Sequence, residues 1–292
     1  MSRLVIISPC RDEEKYIELV FTSVVNQTRL PDRWIIVNDG STDATPKILA
    51  RLTRDYPWIE VVNRQPQGPR QLGPGVVAAF NAGLAHLGDD PYDVIAKLDC
   101  DLEFGPDCFA KIMAIFDDPQ VGIASATIYI RMDDKIVPVR HAEYHIPGAA
   151  KFYRRACFQQ IGGLQPLSGW DILDETDARR LGWRTYSDPH LAIISPRPEG
   201  AAQGGFWSIL KGRIHWGRCA YAIGSHPLFA LARGFFRMSE RPWILGGIMF
   251  LWGFFSGKFQ SGLQRTTNLD VVKYLRQEQL YRLFHGNRLP HM

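Results

Sequence analysis

Through the first hundred positions, apolar residues come in short uninterrupted runs separated by stretches in which they recur at helical spacing. Leu4–Ser8, Trp34–Asn38, Ile59–Asn63 and Asp93–Leu98 are continuous runs ending in polar or turn residues, which predicts strands. Glu13–Gln27, Thr45–Asp55 and Gly75–Leu87 predict helices. The first is opened by acidic residues suited to the positive end of a helix dipole, and Asp43 with Thr45 offers N-cap chemistry to the second. Strands alternating with helices imply βαβ units: an α/β fold with a mainly parallel central sheet flanked by helices and ligands at the carboxyl ends of the strands. Further on, Val121–Ile130 predicts a long strand, the segment to residue 150 a mixed loop region, and Asp171–Leu181 a helix stopped by Gly182-Trp183.

From Phe206 the chain becomes apolar and basic, and the run from Pro242 to Gly257 carries no charge over sixteen residues. As a helix it would be about 24 Å long, short of the ~30 Å hydrocarbon core of a bilayer. Arg233, Arg237, Arg241 and Lys258 flank it with Trp243 and Trp252, a mix suited to a helix in the headgroup layer or a re-entrant segment. A buried helical hairpin packed on the sheet is the alternative.

Composition sharpens this division. The 292 residues allow one large or two ordinary domains, enough to bury a core without a disulfide or metal staple. The net charge of +4 is a cancellation: residues 1–200 hold 22 Lys/Arg against 27 Asp/Glu, whereas residues 201–292 hold 12 against 3 and 16 of the 34 aromatic residues. We therefore expect a catalytic domain over 1–200 and an apolar, basic helical segment over 201–292, membrane-interfacial in character. Basic residues interleaved with aliphatic bulk, and no recognised nucleic-acid module, argue against nucleic acid as a partner. The five cysteines, odd in number and without a C-x-x-C pair, imply neither a disulfide framework nor a structural zinc site. The apolar run Leu4–Ile7 is too short for a signal peptide, so the expected location is cytoplasmic and peripheral on the inner face of the membrane.

Four polar clusters sit where such a sheet presents its ligand. Ser8-Pro9-Cys10-Arg11-Asp12-Glu13-Glu14 follows the first strand and Asn38-Asp39-Gly40-Ser41-Thr42-Asp43 the next. A carboxylate there can accept from a nucleobase N–H or ribose hydroxyl, although Asp39-Gly40-Ser41 alone reads equally as a turn. Lys97-Leu98-Asp99-Cys100-Asp101 ends an apolar strand in an Asp-x-Asp pair, which can hold a divalent cation together with a diphosphate on oxygen ligands. The fourth cluster, Asp171-Ile172-Leu173-Asp174-Glu175, puts three carboxylates on one helical face at i, i+3 and i+4.

Together the Pro9–Glu14 segment, the Val37–Asp43 turn and Leu98-Asp99-Cys100-Asp101 resemble the family-2 inverting glycosyltransferases of the GT-A fold over about residues 1–200. The resemblance implies a nucleotide-diphospho-sugar donor, a Mg²⁺ or Mn²⁺ ion and inversion at the anomeric carbon. It implies donor-binding roles for Pro9, Arg11, Glu13, Asp39 and Asp99, and metal contact for Asp101 with Asp99. Arg70, in the loop before Gly73-Pro74-Gly75, reads either as a diphosphate contact or as a solvated arginine. An inverting transfer needs a carboxylate base at the acceptor hydroxyl. Counting back from Gly182 by the family's spacing selects Asp171, whereas matching its acidic doublet selects Asp174 or Glu175. Where relatives often carry a third metal ligand, a His, this chain reads Ser195-Pro196-Arg197, with His190 the nearest imidazole.

The implied activity is sugar transfer to an acceptor hydroxyl, the acceptor being a sugar or lipid-linked and the setting cell-surface glycan or polysaccharide synthesis. A dinucleotide oxidoreductase is disfavoured because no G-x-G-x-x-G turn follows the first strand. The rival from another class is a non-catalytic, membrane-peripheral protein that binds nucleotide sugars.

Overall fold

The computed structural model describes residues 2–66, 73–132, 135–139, 141–196 and 206–290. The chain divides into two compact units, one of residues 1–166 with 181–197 and the other of 167–180 with 198–292. Arg70 and Arg197 lie outside the described residues.

The first unit contains β1 (Leu4–Cys10), α1 (Ile17–Val25), β2 (Arg33–Asp39), α2 (Thr45–Leu52), β3 (Ile59–Arg64), α3 (Pro74–Leu87), β4 (Val94–Leu98), β5 (Glu103–Phe104), α4 (Cys108–Ile115), β6 (Val121–Met132), β7 (Lys135–Pro138), β8 (Ala150–Arg154), α5 (Arg155–Gln160) and, after the chain returns, β9 (Arg184–Ser195). Their order across the sheet is β3-β2-β1-β4-β8-β6-β9-β5, with β7 paired to β6. β3, β2, β1 and β4 are parallel to one another, and β8 joins β4 antiparallel. β1, β2 and β4 are buried on both faces, which is why they read as unbroken apolar runs. Helix α3 lies close on β1 and β2: a Cβ at Gly83 would stand 2.6 Å from the Ile7 side chain.

Two local expectations change. The helix expected from Glu13 starts at Ile17, because Asp12 turns the chain at φ 56° and the amides of Glu13 and Glu14 donate to the Thr45 hydroxyl and the Asp43 carboxylate instead. The expected loop beyond residue 130 contains β7, which pairs antiparallel with β6.

The second unit is helical: α6 (Trp170–Arg180), α7 (Phe206–Ala222), α8 (Pro227–Arg237), α9 (Ile244–Ser256) and α10 (Leu269–His285). Leu173 of α6 packs with Leu167, Ile223, Val271 and Leu275. The uncharged run folds as α9, packed against α7 and α8 through Phe250 and Phe254 while Trp252 and Phe255 stay exposed. Among the described residues no helix is long and apolar enough to cross a membrane.

Candidate functional site

The loops after β1 and β2 are fastened to each other by reciprocal hydrogen bonds. The Asp12 amide donates to Ser41 Oγ at 3.0 Å, and Asp12 Oδ1 accepts from the Thr42 amide at 2.8 Å. The Glu13 amide donates to Thr45 Oγ1 at 2.8 Å, and the Asp43 carboxylate accepts from the amides of Glu14 and Thr45. Burial works to raise the Asp43 pKa, but the hydrogen bonds from Thr45 and Glu14 overcome it and hold the carboxyl below its ordinary value. Asp12, Ser41, Thr42, Asp43 and Thr45 thus brace the two loops. Gly40, at φ 70°, is required there: a Cβ would stand 2.7 Å from the Pro66 ring.

What these braces hold up is a cavity of about 170 Å³ at the carboxyl ends of β1, β2 and β4. Pro9, Arg11 and Glu13 line it from the first strand's end, Asp39 from the second, and Asp99 with Asp101 from the fourth; Gly75, Val76 and Ala79 of α3 close one wall. Six residues singled out from sequence therefore meet at one place in the first unit.

Each key carboxylate is positioned by the strand register. Asp39 lies opposite Arg64 on β3, and the two side chains form an ion pair. Buried Lys97 donates to Asp99 Oδ1 and to the Gly148 carbonyl at 2.7 Å, so a cation under the floor orients that carboxylate. Arg64 was not among the sequence candidates; the signal was a basic residue one strand over, usable only once the register is known. Cys10 and Cys100 also line the cavity, and the hydrogen bond between them, together with burial, pushes the Cys100 thiol well up.

The oxygen-only chemistry of Asp99 and Asp101 fits a hard cation such as Mg²⁺ or Mn²⁺, which typically takes one or two carboxylates and completes its shell from phosphates and water. Among the described residues no three His, Cys, Asp or Glu side chains converge on a cation site. His190, on β9, is exposed, and its amide donates to Asp188 Oδ1 at 2.8 Å.

The other three candidates belong to α6 of the second unit. Asp171 stands in the first turn, half-buried, and its charge acts on His215 and Cys219 of α7. Burial, then Arg218, lower the His215 pKa against the pull of Asp171, and burial pushes the Cys219 thiol up to about 12. Asp174 and Glu175 are buried. Glu175 pairs at 3.6 Å with Arg179, which Glu278 of α10 grips through both carboxylate oxygens at 2.8 and 3.0 Å.

With this geometry in place, comparison with known proteins is informative. The profile of glycosyl transferase family 2 matches residues 5–170. Over 87 residues the chain is 34% identical to the beta-monoglucosyldiacylglycerol synthase of Synechocystis sp., a stretch covering 30% of this chain and only 17% of that relative. Mannosyltransferase PcManGT from Pyrobaculum calidifontis, solved with GDP-Man and Mn²⁺, has a similar structure, with TM-score 0.59 and 19% identity over 88% of this chain and 73% of that one. S. aureus TarS 1–349 with UDP-GlcNAc gives 0.56 and 16% over 96% and 92%. GalNAc-T7 with UDP, GalNAc and Mn²⁺ gives 0.62 and 13% over 99% and 59%. At these identities the likeness shows a shared GT-A fold.

Proposed function

The chain belongs to glycosyl transferase family 2, and from that premise we propose that it moves a sugar from a nucleotide-diphospho-sugar to an acceptor hydroxyl with inversion at the anomeric carbon. The observation that carries this reading is the meeting of Arg11, Asp39, Asp99 and Asp101 in one cavity at three strand ends. Carboxylates held by Arg64 and Lys97 suit recognition of a nucleoside's N–H and O–H groups, because the pairing fixes their direction while leaving acceptor lone pairs. Arg11 suits the diphosphate. When bound, Mg²⁺ or Mn²⁺ on Asp101 and Asp99 supplies positive charge to the departing diphosphate.

In the proposed transfer the acceptor oxygen forms a bond to the anomeric carbon as the bond to the nucleoside diphosphate breaks, and the hydroxyl proton passes to a carboxylate. Of the three acids on α6 we assign this base role to Asp171. Glu175 is committed to a buried ion pair with Arg179, and Asp174 Oδ1 accepts the Glu175 amide at 2.6 Å, whereas Asp171 is the least buried of the three. It also stands in the first turn of α6, facing the positive end of the helix dipole.

As acceptor we favour a sugar or lipid-linked hydroxyl at the cytoplasmic face of a membrane, as in cell-surface glycan synthesis. The apolar and basic character of residues 201–292 supports this.

The test is a thermal-shift screen of nucleotide sugars with Mn²⁺, followed by transfer assays with the stabilising donor. One nucleotide should stabilise the protein selectively and only with the metal, and transfer should give the inverted linkage. Metal-independent stabilisation would overturn the role of Asp101, and retention of configuration would overturn that of Asp171.

A further inference from the structure

In the helical unit glycines sit where the helices cross, and several large apolar side chains of α8 and α9 face outward. Where α7 crosses α9, a Cβ on Gly217 would stand 2.0 Å from the Phe250 carbonyl oxygen, and one on Gly253 would stand 2.1 Å from that of Ile214. Where α8 meets α9, a Cβ on Gly247 would stand 2.4 Å from the Gly234 carbonyl oxygen. Backbones this close recur between helices that pack in lipid, where bulky apolar side chains have no reason to point inward. Here Phe250 and Phe254 are buried at the contacts, and a further set points outward. On α9, Ile244, Ile248, Trp252 and Phe255 fall at intervals of four, four and three and are all exposed; on α8, Leu228, Phe235 and Phe236 form a second exposed stripe.

Charge specifies what covers this face. Residues 206–268 hold eight Lys/Arg and a single acid, Glu240. That acid is shared: Arg213 and Arg237 each reach it at 3.2 Å, and both guanidiniums stack on Trp216, at 4.9 and 4.5 Å from its ring centre. Two cations to one carboxylate leave positive charge beside the apolar stripes, and exposed Arg241 and Lys258 add to it. An acidic protein partner would answer the charge but would also have to cover scattered tryptophans and phenylalanines. An anionic bilayer answers both, with acyl boundary for the rings and lipid phosphate for the arginines.

We propose that the exposed stripes of α8 and α9 are a docking surface for an anionic lipid bilayer, the aromatic side chains entering the headgroup layer and the arginines engaging lipid phosphate. The proposal deepens the membrane-side acceptor of the proposed function, but it concerns the helical unit's own surface. Its failure would leave donor binding intact, and failure of donor binding would leave it standing.

The full chain is sedimented with extruded vesicles of phosphatidylcholine, alone or mixed with phosphatidylglycerol, at low and high salt. Partitioning should be at least about tenfold stronger on the anionic vesicles at low salt and should weaken as salt rises. An Ile248→Ser/Trp252→Ser variant, altered only at exposed positions, should lose about tenfold in partitioning to either vesicle. Arg241→Gln/Lys258→Gln, at two exposed positions, should lose mainly the preference for the anionic lipid. Phe284→Ser, at an exposed position of α10, should bind as the parent does. Equal or absent binding to the two vesicles would overturn the proposal, as would an equal loss in Phe284→Ser, the mark of non-specific adsorption. So would self-association in sedimentation velocity that Trp252→Ser abolishes, which would make the occupant a second copy of this chain.

Discussion

The two units solve the packing problem in opposite ways. In the sheet unit Trp34 is 0% exposed, its ring tilted against that of Phe21 and its indole N–H donating to Ser8 Oγ at 2.9 Å; in the helical unit Trp252 is 63% exposed and glycines occupy the helix contacts. The first arrangement gains its stability from removing large apolar side chains from water. The second has buried apolar clusters of its own but also leaves a stripe of large apolar side chains on its surface. The polar, braced cavity belongs to the first unit.

The sharpest way to break this comparison is chemical. Asp101→Ala should lower kcat by roughly 10³-fold, on the order of 4 kcal/mol of transition-state stabilisation, and remove the Mn²⁺ dependence of donor binding. Ile248→Ser/Trp252→Ser should leave kcat toward a water-soluble acceptor near that of the parent. If both variants lost turnover equally on a soluble acceptor, the separation of the exposed α9 stripe from the chemistry would fail.

Stability should follow the same division. Trp34→Ala removes a fully buried ring and should cost about 3–5 kcal/mol in urea unfolding. Trp252→Ala should change stability by no more than about 0.5 kcal/mol in water. A large loss in the second variant would mean that the α9 stripe is covered within the protein itself.

A smaller effect tests how the cavity is held. Arg64→Leu removes the cation that positions Asp39 and should raise the donor KM about tenfold, with kcat changed less. An unchanged KM would reduce the Arg64 contact to an ordinary surface ion pair.

How much of this can be read from the chain depends on which interactions are local. β1, β2 and β4 are readable because strands buried on both faces leave unbroken apolar runs, and the Asp-x-Asp step at the end of β4 stands out against such a run. The pairing of Asp39 with Arg64 is not readable, since it depends on a register set by strands 25 residues apart. Glu13 and Glu14 mislead for a related reason: acids before a helix suggest its first turn, but here Thr45 and Asp43 from the neighbouring loop compete successfully for their amides. Apolar content alone leaves α9 ambiguous between a buried hairpin and an interfacial helix. The spacing of Gly246, Gly247 and Gly253 marks the packed side, and by elimination the exposed one.

The least of the expected effects is a difference in acid sensitivity between the units. In the helical unit burial, with Arg218, holds the His215 pKa below its ordinary value of 6.5 despite Asp171. A histidine with a depressed folded pKa contributes stability that is fully present above the unfolded value and is lost as pH falls through the folded one. In the sheet unit the hydrogen bond from Arg33, against the effect of burial and with help from His86, holds Glu60 below its ordinary 4.5, and Asp43 lies below 3.8. Their contributions have the same sign but persist to lower pH, disappearing only as pH falls through their own depressed values. Hydrogen exchange measured along a descending pH series, corrected for intrinsic rates, should therefore show α7 losing protection below about pH 6.5 while β2 and β3 keep theirs into the carboxylate range. His215→Gln should remove the earlier loss and Glu60→Gln should shrink the later one. Simultaneous loss of protection in α7 and in β2 and β3 would mean that the two units unfold as one.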